Sequence, residues 1–220
     1  MAVVIASSSG GILRGFNGND VLIGRGGDDI ILANGGDDRI FAGGGDDSVS
    51  AGAGNDLVNG DAGDDDLRGG EGNDHLFGGS GDDVLAGQDG ADILTGGTGA
   101  DVFVLSSRYD AEGGTFGTTI TDLDFNGDGD GFFLDGFSDA VADAGLLGQR
   151  ITTQEDFVDF VNAAGGATDF QGNSVSFTVV DDDGDSHSIR VFGFDEDDFA
   201  EGEEEGELIL VAIDDADSIA

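Results

Sequence analysis

The chain contains no cysteine and no proline. Without cysteine there is no disulfide to staple a fold and no thiolate to attack a substrate or hold a soft metal. Without proline no slow cis–trans step delays folding, which suits a chain that is held unfolded and then folds quickly. Basic residues are nearly as scarce. Seven arginines and no lysine face 48 acids, for a formal net charge of −41. Such a polyanion is a poor direct partner for nucleic acid or an anionic membrane, because phosphates gather basic patches. Cations, or partners bridged by cations, fit better; the acid excess also fits a salty habitat. Long apolar runs are missing too. Leu208 to Ile213 is among the longest and is far too short to span a bilayer. The start, MAVVIASSSGG, lacks the basic region of a secretory signal, so the protein either stays inside or leaves by a route not read at its N-terminus.

Catalytic motifs are absent as well. There is no H-E-x-x-H zinc helix, no G-x-S-x-G elbow and no phosphate-binding P-loop. His75 and His187 lie in strand-like stretches and are read as structural or exposed. Carboxylates are abundant, but no pair is singled out by bulky apolar surroundings. No catalytic residue and no organic cofactor is assigned, and the chain is not read as an enzyme.

What is present is one nine-residue phrase, repeated ten times without a gap from Gly15 to Val104. In register it reads GFNGNDVLI, GRGGDDIIL, ANGGDDRIF, AGGGDDSVS, AGAGNDLVN, GDAGDDDLR, GGEGNDHLF, GGSGDDVLA, GQDGADILT, GGTGADVFV. Position four is always glycine, from Gly18 to Gly99. Position six is always aspartate: Asp20, Asp29, Asp38, Asp47, Asp56, Asp65, Asp74, Asp83, Asp92 and Asp101. Position eight is always apolar, from Leu22 to Phe103. A fixed short period of this kind marks a solenoid.

The two parts of the phrase do different things. The first six residues, rich in glycine, predict a tight turn that visits positive φ. The last three predict a very short strand with one inward side chain, which buries little until neighbours stack on it in register. Two phrases then make one turn of a flattened coil. Asp20, Asp38, Asp56, Asp74 and Asp92 line one edge, and Asp29, Asp47, Asp65, Asp83 and Asp101 the other. Carboxylates one strand spacing apart, ~4.8 Å, repel by about 1 kcal/mol even in bulk water. A hard divalent cation removes that conflict. Calcium accepts six to eight oxygens from carboxylates and backbone carbonyls, whereas magnesium demands stricter geometry. Zinc and iron are poorer candidates, with one histidine and no cysteine in the repeats.

These phrases resemble the G-G-x-G-x-D-x-U-x nonapeptides of RTX (repeats-in-toxin) calcium-binding proteins. The resemblance covers 90 of the 220 residues. It implies a parallel β-roll, a right-handed two-sheet solenoid, with calcium held between successive loops by the position-six aspartates and loop carbonyls. If each ion needs two stacked loops, on the order of eight calcium ions are expected. Departures are mild. Ala33, Ala42 and Ala51 replace the first glycine, and Phe16, Arg25, Asn34, Asp61 and Gln88 the second; they bear on the strained turn more than on the carboxylates.

The flanks complete the reading. Residues 1–14 form an N-terminal cap in which SSSGGILR is a degenerate phrase with Leu13 at the apolar position. The roll occupies 15–104, a C-terminal capping and secretion region 105–200, and an acidic tail with a last strand 201–220. The stretch from Ile120 to Phe137 resembles the I-x-D-F segment that follows many RTX repeats. Its Asp124, Asn126, Asp128, Asp130 and Asp135 also fit calcium-loop spacing of the EF-hand type, with aspartate where glutamate is usual. Thr152 to Ala164 predicts a helix capped by Thr153, with Phe157, Phe160, Val161 and Ala164 on one stripe. Ser174 to Val180 and Ser186 to Phe192 predict a hairpin whose DDDGD loop (Asp181, Asp183, Asp185) is a weaker cation candidate. The fold class is thus all-β dominated, a β-roll followed by a small mixed β/α cap with one helix and one hairpin.

The C-terminal portion resembles that of RTX proteins exported by type I secretion, in which an uncleaved acidic region is read by the transporter. The resemblance implies a secreted, extracellular calcium-binding protein with an interaction or matrix role, bridging a polysaccharide or cell surface through calcium. Two other uses stay open: the C-terminal module of a larger exported enzyme (a protease or a polysaccharide epimerase or lyase), and a pore-forming or host-signalling RTX protein.

Overall fold

The computed structural model describes residues 1–5, 9–106, 117–123, 128–135, 150–151, 169–170, 174–180 and 186–192. In chain order the strands are β1 (Val3–Ile5), β2 (Gly11–Arg14), β3 (Val21–Ile23), β4 (Asp29–Gly35), β5 (Arg39–Gly44), β6 (Ser48–Ala53), β7 (Leu57–Ala62), β8 (Asp66–Glu71) and β9 (His75–Ser80). They continue with β10 (Val84–Asp89), β11 (Ile93–Thr98), β12 (Val102–Ser106), β13 (Gly117–Ile120), β14 (Gly131–Asp135), β15 (Arg150–Ile151), β16 (Asp169–Phe170), β17 (Ser174–Val180) and β18 (Ser186–Phe192). There is no helix among the described residues. The helix expected over 152–164, the loop 181–185 and the tail 201–220 lie outside them.

From β1 to β12, odd strands pair in parallel with odd strands and even with even, two phrases apart, as in Leu22↔Ile40↔Val58↔Leu76 and Ile31↔Val49↔Leu67↔Leu85. One coil of two phrases therefore contributes one strand to each of two sheets. The position-eight side chains, 0–1% exposed, meet between the sheets. They are joined by position one, where Ala33, Ala42 and Ala51 are fully buried. At these three phrases the alanine methyls join the buried apolar cluster.

The strands are longer than a three-residue x-U-x segment. Most run on through the first three positions of the next phrase, so the turn proper is positions four to six. The pairing skips position one, and position two has φ of 111–122° at its glycines, which bends each strand. Four non-glycine residues hold that corner, Arg25, Asn34, Asp61 and Gln88, at φ of 75–87°. They sit in the narrow left-handed well that a side chain tolerates, at a cost of about 1–2 kcal/mol each.

At the N-terminal end the cap is a whole turn. β2 pairs with β4 and buries Leu13, while β1 pairs with β3 and packs Val4 against the core. At the other end the repeat interval lengthens. β13 aligns Ile120 with Leu94, and β14 aligns Phe132 with Phe103, their rings 6.2 Å apart. Both sheets then close on antiparallel strands: β15 against β14, and the β17–β18 hairpin, whose β18 runs parallel to β13. Strands β17 and β18 lie antiparallel, with Phe177 opposite Ile189 and Val175 opposite Val191.

Candidate metal centre

The phrase folds into a turn that delivers its aspartate inward. Position four has positive φ in all ten phrases, and inside the stack there is no room for a side chain: a Cβ on Gly72 (φ 127°) would overlap the carbonyl oxygen of Gly54. Two residues later the position-six aspartates are 0–3% exposed and stacked along both edges. From Asp20 to Asp83 each backbone N–H donates to the Oδ1 of the aspartate one turn ahead: Asp38 to Asp56 at 2.7 Å, Asp56 to Asp74 at 2.8 Å, Asp65 to Asp83 at 2.8 Å.

That ladder uses only one oxygen of each interior carboxylate from Asp38 to Asp92. The Oδ2 atoms of Asp38, Asp47, Asp56, Asp65, Asp74, Asp83 and Asp92 are buried without a hydrogen-bond partner. A buried carboxylate oxygen left so costs several kcal/mol unless the group is neutralised. The titration of these groups reflects it. Burial pushes Asp65, Asp74 and Asp101 up to about 7, and Asp56, Asp83 and Asp92 up to about 6. Asp29, Asp38 and Asp47 are raised by the same cause. Asp20, on the first turn, is the exception. The Phe16 N–H reaches its Oδ2 at 2.8 Å and the Ala2 N–H its Oδ1, and these bonds lower its pKa. On the Asp20 edge the first rung is satisfied by protein, whereas the interior rungs Asp38, Asp56, Asp74 and Asp92 are not.

The donor set suits calcium. No three histidine, aspartate or glutamate side chains converge on one point among the described residues, so carboxylates alone do not make a shell and other oxygens must complete it. Glycines supply them: the place a Cβ would take on Gly69 abuts Asp74 Oδ2 and lies 2.7 Å from the Gly87 carbonyl oxygen. Unpartnered carboxylate oxygens beside main-chain carbonyls, with no sulfur and no imidazole, are what a hard divalent cation of high coordination number requires.

A second column at position five runs alongside, and the sequence reading did not single it out. Here the side chain accepts from the next turn, in the opposite sense: Asn19 from Asp37 N–H at 3.1 Å, Asp28 from Asp46 at 3.1 Å, Asp64 from Asp82 at 2.9 Å. Its signal was present, since position five is Asn or Asp in the first eight phrases and alanine only in the last two. The two edges differ: Asp28, Asp46, Asp64 and Asp82 on one, but Asn19, Asp37, Asn55 and Asn73 on the other. His75 is exposed and lines a surface groove of about 360 Å³ with Asn55, Asn73 and Arg39.

Of the 124–135 residues, Asp124 and Asn126 lie outside the described residues, and Asp128 is exposed. Asp130 instead continues the ladder, 2% exposed, with its Oδ1 accepting the Asp101 N–H at 3.0 Å. Asp135 ends strand β14, so this stretch leads into a strand and not into an EF-hand helix. Asp122 was not anticipated: its carboxylate takes the N–H groups of Gly96 and Gly97 at 2.9 and 2.8 Å, closing the last corner.

Among the described residues no helix is long and apolar enough to cross a membrane. No curated protein matches the chain. The family model of the RTX calcium-binding nonapeptide repeat (four copies) matches residues 14–49, 41–76 and 68–103, together about two-fifths of the chain. The stacked phrases of residues 14–103 are RTX calcium-binding repeats, wound into a two-sheet β-roll.

Proposed function

We propose that the protein is a secreted calcium sensor of its own location, unfolded where calcium is scarce and folded where it is abundant. The position-six aspartates hold the ions between successive loops, with glycine carbonyls completing the shell. Bound calcium supplies the positive charge that the two columns lack. The observation that carries this reading is the row of buried Oδ2 atoms without partners on successive turns. Without a cation the charged columns oppose the roll, and the chain stays soluble and extended. With it, binding energy becomes folding energy.

Export by a type I transporter fits this cycle, because such a route takes an unfolded chain. Outside the cell the folded roll serves as an interaction or matrix module, meeting a polysaccharide or cell surface through calcium, and carries no catalytic role. The test is a calcium titration of the full chain followed by far-ultraviolet circular dichroism, with magnesium as control. A steep, chelator-reversible gain of β signal specific to calcium is expected. A signal that is complete without calcium, or unmoved by it, rejects the reading.

A further inference from the structure

The outer face of the odd-numbered sheet differs in composition from the rest of the chain. Positions seven and nine of the odd phrases alternate with buried residues along β3, β5, β7, β9 and β11, so they face outward. None of these ten residues is acidic, although the chain carries a net charge of −41. The corresponding face of the even-numbered sheet carries an ion pair, Asp66 with Arg68 at 2.6 Å. Along position nine the parallel register sets Phe41, Asn59, Phe77 and Thr95 side by side. The two phenylalanines therefore stand two strands apart, ~9.6 Å. Phe77 is 37% exposed and Phe41 half-buried, and the groove they line, of about 380 Å³, is completed by Leu57, Asn59 and Thr95. Asn59 is held through its NH2 on the Asp61 carboxylate at 2.7 Å, which leaves its side-chain oxygen to accept.

This groove adjoins, at Leu57, the one lined by Asn55, Asn73, Arg39 and His75. The border between them is also where position five changes character. Amides stand there at Asn19, Asn55 and Asn73, whereas the far edge keeps aspartate at Asp28, Asp46, Asp64 and Asp82. The Asn73 side-chain oxygen takes the Ala91 N–H at 2.8 Å, which leaves its NH2 group for a ligand. Acids are thus thinned on one face and on the edge beside it, and aromatic rings and planar amides take their place.

The geometry points to an uncharged linear polysaccharide as the occupant of this strip. In an extended β-linked chain successive sugar rings turn over, so alternate rings present the same face. Two phenylalanines on every second strand meet such alternate faces, whose C–H groups pack on the negative faces of aromatic rings. The amides, Arg39 and His75 along the border supply planar donors for the hydroxyls. A polyanionic glycan would meet one arginine among rows of aspartate and be repelled. A folded protein favours a compact apolar patch ringed by polar groups, whereas this strip is narrow and repeats along one axis only. The inference rests on the interaction role proposed above and names its partner: the glycan lies on the sheet, and calcium holds the roll beneath it in shape.

Native electrophoresis of the full chain in saturating calcium, through gels cast with hydroxyethylcellulose, tests the strip. Carboxymethylcellulose, the same backbone with charge, is the comparison. The parent should be retarded by the neutral polymer and less by the charged one. Phe77→Ala should weaken the neutral binding about five-fold, as loss of one aromatic contact implies. Leu32→Ala, on the outer face of the even-numbered sheet, should leave it unchanged. No retardation of the parent, retardation by the charged polymer alone, or equal retardation of Phe77→Ala overturns the inference. So does a parent that self-associates in size-exclusion chromatography through Phe77, since the face then serves a second copy. Circular dichroism of each protein separates the two readings: a roll that folds with calcium but ignores the glycan leaves the calcium reading standing. A roll that binds the glycan whether or not calcium is present keeps this inference and rejects the other. Should Phe77→Ala not fold, Phe41→Ala on the same strip decides by the same criterion, and failure of both to fold overturns a docking role for the rings.

Discussion

Strip the chain of divalent cations and lower the pH, and the roll should form without metal. Six interior aspartates titrate at about 6 to 7 when folded, against 3.8 for an ordinary aspartate. A shift of about 3 units is worth roughly 4 kcal/mol per group, and allowing for solvent screening at the loop edges leaves about 2 kcal/mol. Six such groups then oppose folding by on the order of 10 kcal/mol when all are ionised, which matches the whole stability of a typical domain. The folded-state values lie above the unfolded ones. Their favourable contribution is therefore complete below about pH 4 and is lost as pH rises through 6 to 7. Far-ultraviolet circular dichroism of the metal-free chain should show β signal growing from pH 8 down to pH 4. In saturating calcium the dependence should reverse, since protons then compete with the ion for the same oxygens. A metal-free chain with the same β signal at pH 8 as at pH 4 would refute the reasoning.

Position along the stack should matter. Asp56→Ala removes an interior rung and leaves the Asp38 N–H without its acceptor, so it should broaden the calcium-induced transition and raise its midpoint several-fold. Asp20→Ala, at a rung already satisfied by Phe16 and Ala2, should change the midpoint less than two-fold in the same titration; equal effects would argue against a stacked ladder. Backbone strain should be separable from metal binding. Gln88→Gly relieves a left-handed side chain and should raise stability in saturating calcium by about 1 kcal/mol. Gly72→Ala should lower it by about 3 kcal/mol or more, because the methyl meets the Gly54 carbonyl in a φ region closed to side chains. Thermal melts of both variants check the pair.

The period of nine made the roll legible because every phrase solves the same problem: one apolar residue to bury, one carboxylate to stack, one left-handed glycine to turn. What escaped were features that depend on neighbours rather than on the phrase. Strand β1 was hidden because Ala2 stands where the phrase has aspartate and serines follow. The place of Asp130 in the ladder was hidden because the interval from Asp101 is 29 residues, not 18, so spacing alone suggested an isolated calcium loop. The buried role of position one could not be read from glycine itself, which packs nothing; only Ala33, Ala42 and Ala51 hinted at it.

The alternation of consecutive phrases between two sheets has a consequence for the length of the coding repeat. Losing two phrases removes one coil and brings equivalent rungs together, so every downstream residue keeps its sheet, edge and inward face. Losing a single phrase keeps the inward face but exchanges the edges for everything that follows. Asp101 would then continue the column begun by Asp20, the amide-bearing column would meet the all-aspartate one, and β13 and β14 would arrive at the wrong sheets. Removing phrases in pairs thus leaves both ends of the roll matched to their sheets and an odd step does not, which makes parity, rather than copy number, the quantity its two ends depend on.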